Sequence, residues 1–186
     1  VSKICLWGET FIMVGVNVYS GTEKVSGIRE AIFSGKVFVT VGNGKFDSLI
    51  SEIDRLVACG VISGQVLCQI GHGKYEPKNC KWYRFKDSLE EDEKWADLVV
   101  SHGGPGTIFE LLRIGKKVIA LPNRNRTDVN HQVEFLEGLF SEGKYFLYCS
   151  KVPLFEKILS GLNEFEFKKY LEPECYLADK VNEFLK

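Results

Sequence analysis

Short apolar runs alternate with amphipathic stretches through the middle of the chain. The β-branched run at residues 37–41 ends at Gly42-Asn-Gly44. Apolar residues spaced three and four positions apart follow from Phe46 to Val57, and this spacing is typical of an amphipathic helix. The pattern therefore predicts a strand, a tight glycine loop and a helix, in that order.

This unit recurs along the chain. Further apolar runs predict strands at residues 65–70, 82–85, 98–100, 118–121 and 145–148, and periodic stretches predict helices at 88–95, 107–114 and 130–141. Ser88 and Glu91 match a capping box for the first of these helices. Several strands are apolar at every position, as in sheets that are buried on both faces. We therefore predict an α/β fold, a Rossmann-like doubly wound and mostly parallel sheet.

The two ends of the chain follow this pattern less closely. We divide the chain into an N-terminal extension at residues 1–35, a main domain at 36–160 and a helical tail at 161–186. The extension contains two strand-like pieces and a short helix. The tail ends in an apolar stripe from Tyr176 to Leu185, which either covers the sheet or docks a partner.

Composition limits the classes of function. The 186 residues carry a formal net charge of -1, with 45% hydrophobic and 26% charged residues, so a general nucleic-acid-binding surface is not expected. The longest early apolar stretch, residues 11–18, is interrupted by Gly15 and Asn17 and is too short to cross a bilayer. We expect a cytoplasmic protein that is peripheral to a membrane through a partner.

The six cysteines give no metal or disulfide pattern. None forms a C-x-x-C pair, and several, including Cys68, lie inside apolar runs. This arrangement is typical of reduced cysteines that pack as small hydrophobic side chains.

Three glycine-containing loops, at residues 42–44, 71–73 and 103–106, each follow a predicted strand. The carboxyl ends of parallel strands share one sheet edge, so these loops should gather there. A glycine loop that opens a helix exposes backbone N–H groups, which suit a phosphate. Neither a P-loop nor the dinucleotide fingerprint fits, because Phe46 follows Gly44-Lys45 and a third glycine is missing after Gly42-x-Gly44.

The segment Ser101-His-Gly-Gly-Pro-Gly-Thr-Ile-Phe-Glu110 is the most specific signal. It joins a strand end, an imidazole, three glycines, a hydroxyl and a carboxylate one helical turn further on. Thr107 and Glu110 also match a capping box. Glu110 is therefore either a helix cap or a ligand-binding carboxylate.

This segment resembles the donor-site motif of GT-B glycosyltransferases, especially the family 28 C-terminal domain. The similarity extends over about residues 37–159 and includes matching motifs at residues 39–42, 85–89, 96–102, 121–124 and 130–132. It is strongest to the small donor-binding subunits of two-chain UDP-sugar transferases. The resemblance implies that the fold is the C-terminal, donor half of a GT-B enzyme.

The resemblance also implies roles for individual residues. Glu110 would accept hydrogen bonds from the two ribose hydroxyls. The diphosphate would be held by Ser101, His102 and the backbone of Gly103, Gly104, Gly106 and Thr107, with Gly42 in the same donor site. Asn130, His131 and Gln132 would contact the sugar hydroxyls, and the backbone at 84–86 would hold the base.

The function implied is inverting transfer of a hexose to a lipid-linked acceptor, with GlcNAc from UDP-GlcNAc as the expected sugar. A membrane-associated partner subunit would bind the acceptor and supply the catalytic base, so no catalytic residue is assigned here. The UDP-sugar is a substrate, and neither a metal nor another cofactor is expected. Two alternatives stay open: a UDP-GlcNAc 2-epimerase-like half, and a non-catalytic nucleotide-sugar-binding subunit.

Overall fold

A parallel sheet forms the centre of the protein. The computed structural model describes residues 31–124 and 130–172. Within these ranges the sheet has the strands β1 (Val37–Thr40), β2 (Val66–Gln69), β3 (Lys81–Tyr83), β4 (Leu98–His102), β5 (Val118–Leu121) and β6 (Leu147–Tyr148). Their order across the sheet is β3-β2-β1-β4-β5-β6, and every neighbouring pair is parallel. The α/β prediction is therefore confirmed.

Helices cover both faces of this sheet. They are α1 (Asp47–Ala58), α2 (Glu90–Trp95), α3 (Pro105–Arg113), α4 (His131–Glu142) and α5 (Phe155–Ser160), with 3₁₀ turns at Val152–Leu154 and Leu162–Glu164. Alternate residues of β1 point to opposite faces: Val37 and Val39 pack with α1 and α5, whereas Phe38 packs with α3 and α4. All four residues of β1 are buried, as expected for a strand that is covered on both faces.

Most element boundaries shift by a few residues from those predicted. α3 begins at Pro105 rather than at 107, because proline's fixed φ and missing N–H suit the first turn of a helix. α2 begins at Glu90, where the Ser88 hydroxyl accepts a hydrogen bond from the Glu90 amide at 3.2 Å. The Glu91 carboxylate contacts Lys86 instead of completing a capping box. The strands β3 and β6 are shorter than predicted.

Little of the two ends can be compared with their predictions. The strand-like pieces before residue 31 and the stripe from Tyr176 to Leu185 lie outside the described residues. Residues 165–172 contain neither helix nor strand. Across 31–124 and 130–172, every helix is too short or too polar to span a membrane.

Candidate functional site

The three glycine loops meet at the carboxyl edge of the sheet, because they follow the adjacent strands β1, β2 and β4. The His72 amide donates to Gly44 O at 2.9 Å. Gly71 has a φ of +52°, and a Cβ there would lie only 2.4 Å from Gly44 O. The loops after β1 and β2 are thus packed backbone to backbone, at a distance that only glycine permits.

The imidazole of His102 fills the gap between the loops after β1 and β4. A Cβ on Gly42 would lie 2.6 Å from His102 Cε1, and one on Gly104 would lie 2.5 Å from His102 Nε2. His102 is the last residue of β4, and its side chain is buried. The structure therefore brings Gly42, His102 and Gly104 together, as the family resemblance implies.

The start of α3 presents main-chain donors to this edge. Gly104 is the N-cap residue, and no side-chain hydrogen bond caps it. The first main-chain helical bond runs from Ile108 N to Gly104 O at 3.0 Å. Because Pro105 has no N–H, the amides of Gly106 and Thr107 are the donors at this helix terminus. Such a terminus favours negative charge.

The capping-box interpretation of Thr107 and Glu110 is wrong. Thr107 is the third residue of α3 and not its cap, because the helix begins at Pro105. Glu110 lies one turn further on with an exposed side chain. No side-chain hydrogen bond caps α3, so Glu110 does not hold the start of this helix.

Ser101 occupies a more internal position than the diphosphate role suggests. Its side chain is fully buried, and its hydroxyl donates to His102 O at 2.9 Å. This bond fixes the carbonyl orientation where β4 enters the glycine loop. The proposed contact of Ser101 with a diphosphate stays a prediction.

Gln132 connects three loops at the same edge. Its Oε1 atom accepts a hydrogen bond from the Asn123 amide at 2.8 Å, and Asn123 Nδ2 donates to Lys45 O at 2.8 Å. Gln132 is buried, and its Cβ would lie 3.2 Å from a Cβ on Gly103. Its acceptor oxygen therefore has a structural task, while its amide nitrogen is the group that could contact a sugar hydroxyl.

Asn130 and His131 stand at the start of α4, beside Gln132, and both are exposed. Residues 125–129, which precede them, lie outside the described residues. Asn130 and His131 therefore lie at the N-terminal end of α4. Their contact with a sugar stays a prediction.

Gln69 organises the site, although the sequence analysis assigned it no role. Its Oε1 accepts from Thr40 Oγ1 at 2.8 Å and from Val41 N at 3.1 Å. Its Nε2 donates to Gly42 O at 2.9 Å and to Arg84 O at 2.8 Å. The side chain thus joins the carboxyl ends of three strands. A buried amide in an otherwise apolar strand is the signal that could have identified it.

The predicted base-binding backbone at 84–86 lies directly after β3. The Arg84 guanidinium donates to Gly73 O at 2.7 Å and pairs with Glu76 at 2.7 Å. The Phe85 side chain is 49% exposed, and its ring centroid is 4.7 Å from that of His72. An aromatic surface therefore lies open beside the loop after β2.

A second carboxyl group lies near Glu110. Glu93 of α2 is only 1% exposed, and its Oε2 atom has no hydrogen-bond partner among the described residues. Burial, with a smaller contribution from the Glu110 carboxylate, raises the pKa of Glu93 to about 7. The sequence pattern does not identify this residue, because nothing in α2 marks one acidic position as buried.

Metal ligands do not cluster in the part of the chain that the structure covers. No group of three or more His, Cys, Asp or Glu side chains is arranged to hold an ion there. Helix amides, an imidazole and side-chain amides are the polar groups at the sheet edge.

Two relatives of this chain are named as subunits of a sugar transferase. The chain is 37% identical over 127 residues to the human UDP-N-acetylglucosamine transferase subunit ALG13. The aligned region covers 61% of this chain and 11% of the human protein. It is 24% identical over 194 residues to the Yarrowia lipolytica protein of the same name. That alignment covers 98% of this chain and 94% of the Yarrowia protein. The chain thus spans about a tenth of the length of the human relative.

Solved structures share the fold. MurG of Acinetobacter baumannii matches with a TM-score of 0.54 and 16% identity, over 74% of this chain and 42% of that one. The spinosyn forosaminyltransferase SpnP matches with a TM-score of 0.52 and 16% identity, over 79% of this chain and 40% of that one. In both cases the match occupies less than half of the larger chain, as expected for one half of a GT-B fold.

The glycosyltransferase family 28 C-terminal domain matches residues 36–174. This range contains all six strands and every loop of the candidate site. The chain therefore belongs to the glycosyltransferase family 28 C-terminal domain family.

Proposed function

We propose that this chain binds the UDP-sugar donor, UDP-GlcNAc, of an inverting hexosyltransferase. The observation that carries the proposal is the uncapped start of α3, which opens directly after His102 and against the loop at Gly42. A diphosphate fits such a site, because helix amides and the helix dipole favour negative charge. Membership of the family and the names of the relatives support the choice of UDP-GlcNAc.

The proposed chemistry is displacement at the anomeric carbon of the sugar. An acceptor hydroxyl attacks that carbon, the bond to the diphosphate breaks, and UDP leaves with the bonding electrons. Negative charge then grows on the diphosphate, where the amides of Gly106 and Thr107 stabilise it without needing to reorient. His102 adds an imidazole donor at the same place, and Glu110 accepts hydrogen bonds from the ribose hydroxyls.

The sugar would lie toward α4. The Oε1 atom of Gln132 is bonded to Asn123, so its Nε2 donates to a sugar hydroxyl. Asn130 and His131 extend the same polar surface. The open aromatic surface of Phe85, next to the backbone at 84–86, receives the uracil base.

The acceptor site and the catalytic base belong to a second subunit in this proposal. The relatives are named as subunits, and the solved structures extend far beyond the matched half. We propose that this partner is membrane-associated, binds a lipid-linked sugar acceptor, and holds the present chain at the cytoplasmic face of the membrane.

Calorimetric titration with UDP, UDP-GlcNAc and GDP tests donor binding by the purified chain. We expect UDP and UDP-GlcNAc to bind and GDP to bind at least about tenfold more weakly, a difference of about 1.4 kcal/mol. Equal affinity for GDP, or no binding of UDP, would contradict the proposed donor site.

Transfer is tested with the complex that co-purifies with the chain from its native cell. The isolated chain should transfer almost no GlcNAc to a polyprenyl-diphosphate sugar, whereas the complex should transfer it with inversion. Release of free ManNAc would indicate a 2-epimerase instead. Binding of UDP-GlcNAc without turnover by the complex would indicate a non-catalytic subunit.

A further inference from the structure

Two cysteines of neighbouring strands are in contact at one end of the sheet. Cys68 lies in β2, and Cys80 immediately precedes the edge strand β3. Their Sγ atoms are 3.5 Å apart. Both thiols are reduced, and the distance is a hydrogen-bond contact that exceeds the length of a disulfide by about 1.5 Å.

The two thiols differ in their surroundings. Cys68 is fully buried, whereas Cys80 keeps part of its surface exposed. The hydrogen bond to Cys80, together with burial, raises the pKa of Cys68. The same hydrogen bond lowers the pKa of Cys80. Either thiol can donate in this contact, and Cys80, with its lowered pKa and partly exposed surface, is the better nucleophile of the two.

The chain before Cys80 is held firmly in place. The Asp54 carboxylate accepts hydrogen bonds from the Asn79 amide at 2.7 Å, the Lys78 amide at 3.0 Å and the Tyr75 hydroxyl at 2.8 Å. These bonds anchor the connection between β2 and β3 to α1. Cys80 is thus positioned beside Cys68 by contacts that do not involve either sulfur.

We propose that Cys68 and Cys80 form a reversible disulfide by exchange with a small-molecule disulfide such as oxidised glutathione. This site is independent of the proposed donor site. The Cys80 thiolate attacks one sulfur of oxidised glutathione, the glutathione S–S bond breaks, and one glutathione leaves as a thiolate. Cys80 then carries a mixed disulfide.

The second step closes the internal disulfide. The Cys68 sulfur attacks the Cys80 sulfur, the mixed disulfide breaks, and the second glutathione leaves with the proton that Cys68 loses. Two protein thiols are oxidised, and one disulfide is reduced to two glutathione thiols. The two sulfurs must approach by about 1.5 Å to reach bonding distance. The product links the edge strand β3 covalently to β2.

The reaction is tested on the folded, fully reduced chain incubated with oxidised glutathione. Thiols are then blocked with N-ethylmaleimide, and the protein is analysed by intact mass and by peptide mapping without reductant. We expect a Cys68–Cys80 linked peptide, which dithiothreitol reverses. Exposed Cys59 serves as an internal control that carries only a mixed disulfide.

Two variants separate the steps. Cys68→Ser should accumulate a stable mixed disulfide on Cys80, because the resolving thiol is missing. Cys80→Ser should leave Cys68 unmodified, because Cys68 is buried. In the oxidised parent the thermal midpoint should rise, and neither variant should show this rise.

The proposal is overturned if the parent accumulates a mixed disulfide on Cys80 without the internal link. It is equally overturned if Cys68 and Cys80 both stay reduced while Cys59 reacts. A link that forms only after denaturation, or pairs either cysteine with another position, also contradicts it.

Discussion

The imidazole of His102 occupies the place that a side chain at Gly42 would need. A Cβ on Gly42 would lie 2.6 Å from His102 Cε1, and Gly42 itself has a φ of +60°. Contacts this short between a Cβ and a ring carbon require one group to move. The first and third glycine loops are therefore held in register by a single buried ring.

Gly42→Ala tests this relationship. Alanine at a positive φ costs about 1–2 kcal/mol, and the displaced imidazole adds to that cost. We expect a larger loss of unfolding free energy than the conformational term alone, with UDP-GlcNAc affinity reduced about tenfold or more. Gly60→Ala is the matched control, since Gly60 has a φ of +73° with open space around it. If both variants lose only stability, His102 does not contribute to donor binding.

Glu110→Gln tests the ribose contact. Hydrogen bonds to a charged group contribute about 1.5–3 kcal/mol, so UDP affinity should fall about ten- to a hundredfold. The thermal midpoint should stay close to that of the parent, because Glu110 does not cap α3. dUDP should bind parent and variant more nearly alike. Glu134→Gln, an exposed carboxylate of α4, is the control. Unchanged UDP affinity in titration calorimetry would rule out Glu110 as a ligand.

Gln132→Ala should have two separable effects. Loss of the Oε1 acceptor removes the buried hydrogen bond from the Asn123 amide, which costs about 1–3 kcal/mol of unfolding free energy. Loss of the Nε2 donor should weaken UDP-GlcNAc binding while UDP affinity changes little. Asn123→Ala is the control, because it removes the bond to Lys45 O but leaves Gln132 intact. The donor-site role of Gln132 fails if both ligands weaken equally.

Glu93→Gln should stabilise the protein in a pH-dependent way. The pKa of Glu93 is raised from 4.5 to about 7 in the folded state, so the unfolded state releases its proton first as pH rises. As pH rises from about 4.5 to about 7, the unfolding free energy of the parent falls. Above the folded-state pKa this loss of unfolding free energy is complete. The advantage of the variant should be small near pH 4.5 and reach on the order of 3 kcal/mol above pH 8.

Urea unfolding at about pH 5 and about pH 8 measures this difference. The control is Glu91→Gln on the exposed face of the same helix, where the side chain is 88% exposed. Its stability relative to the parent should change little with pH. An equal pH dependence in both variants would show that net charge, rather than burial of Glu93, causes the effect.

The fold was predictable because the strands are buried on both faces. A continuous apolar run such as that of β5 is hard to place anywhere but in a covered parallel sheet. The boundaries of α3 were harder to predict. A capping box at Thr107 and Glu110 competes with proline at the first helical position, and Pro105 determines where the helix begins.

Long-range polar contacts were not predictable. Gln69 bonds to residues that lie far from it in sequence, and Asp54 reaches the connection before β3. The contact of Cys68 with Cys80 depends on the parallel pairing of β2 with β3, which a separation of twelve residues does not reveal. The local sequence pattern predicts where the site loops lie. The hydrogen bonds between those loops become visible only once the strands are placed side by side in the sheet.

The Gln69 amide also has a mechanical consequence. One planar group holds Gly42 O and Arg84 O, which belong to loops on either side of β2. Both loops must therefore move together or break a buried hydrogen bond. The distance between the two loops is therefore fixed. A ligand that contacts both loops must have a length that matches this distance.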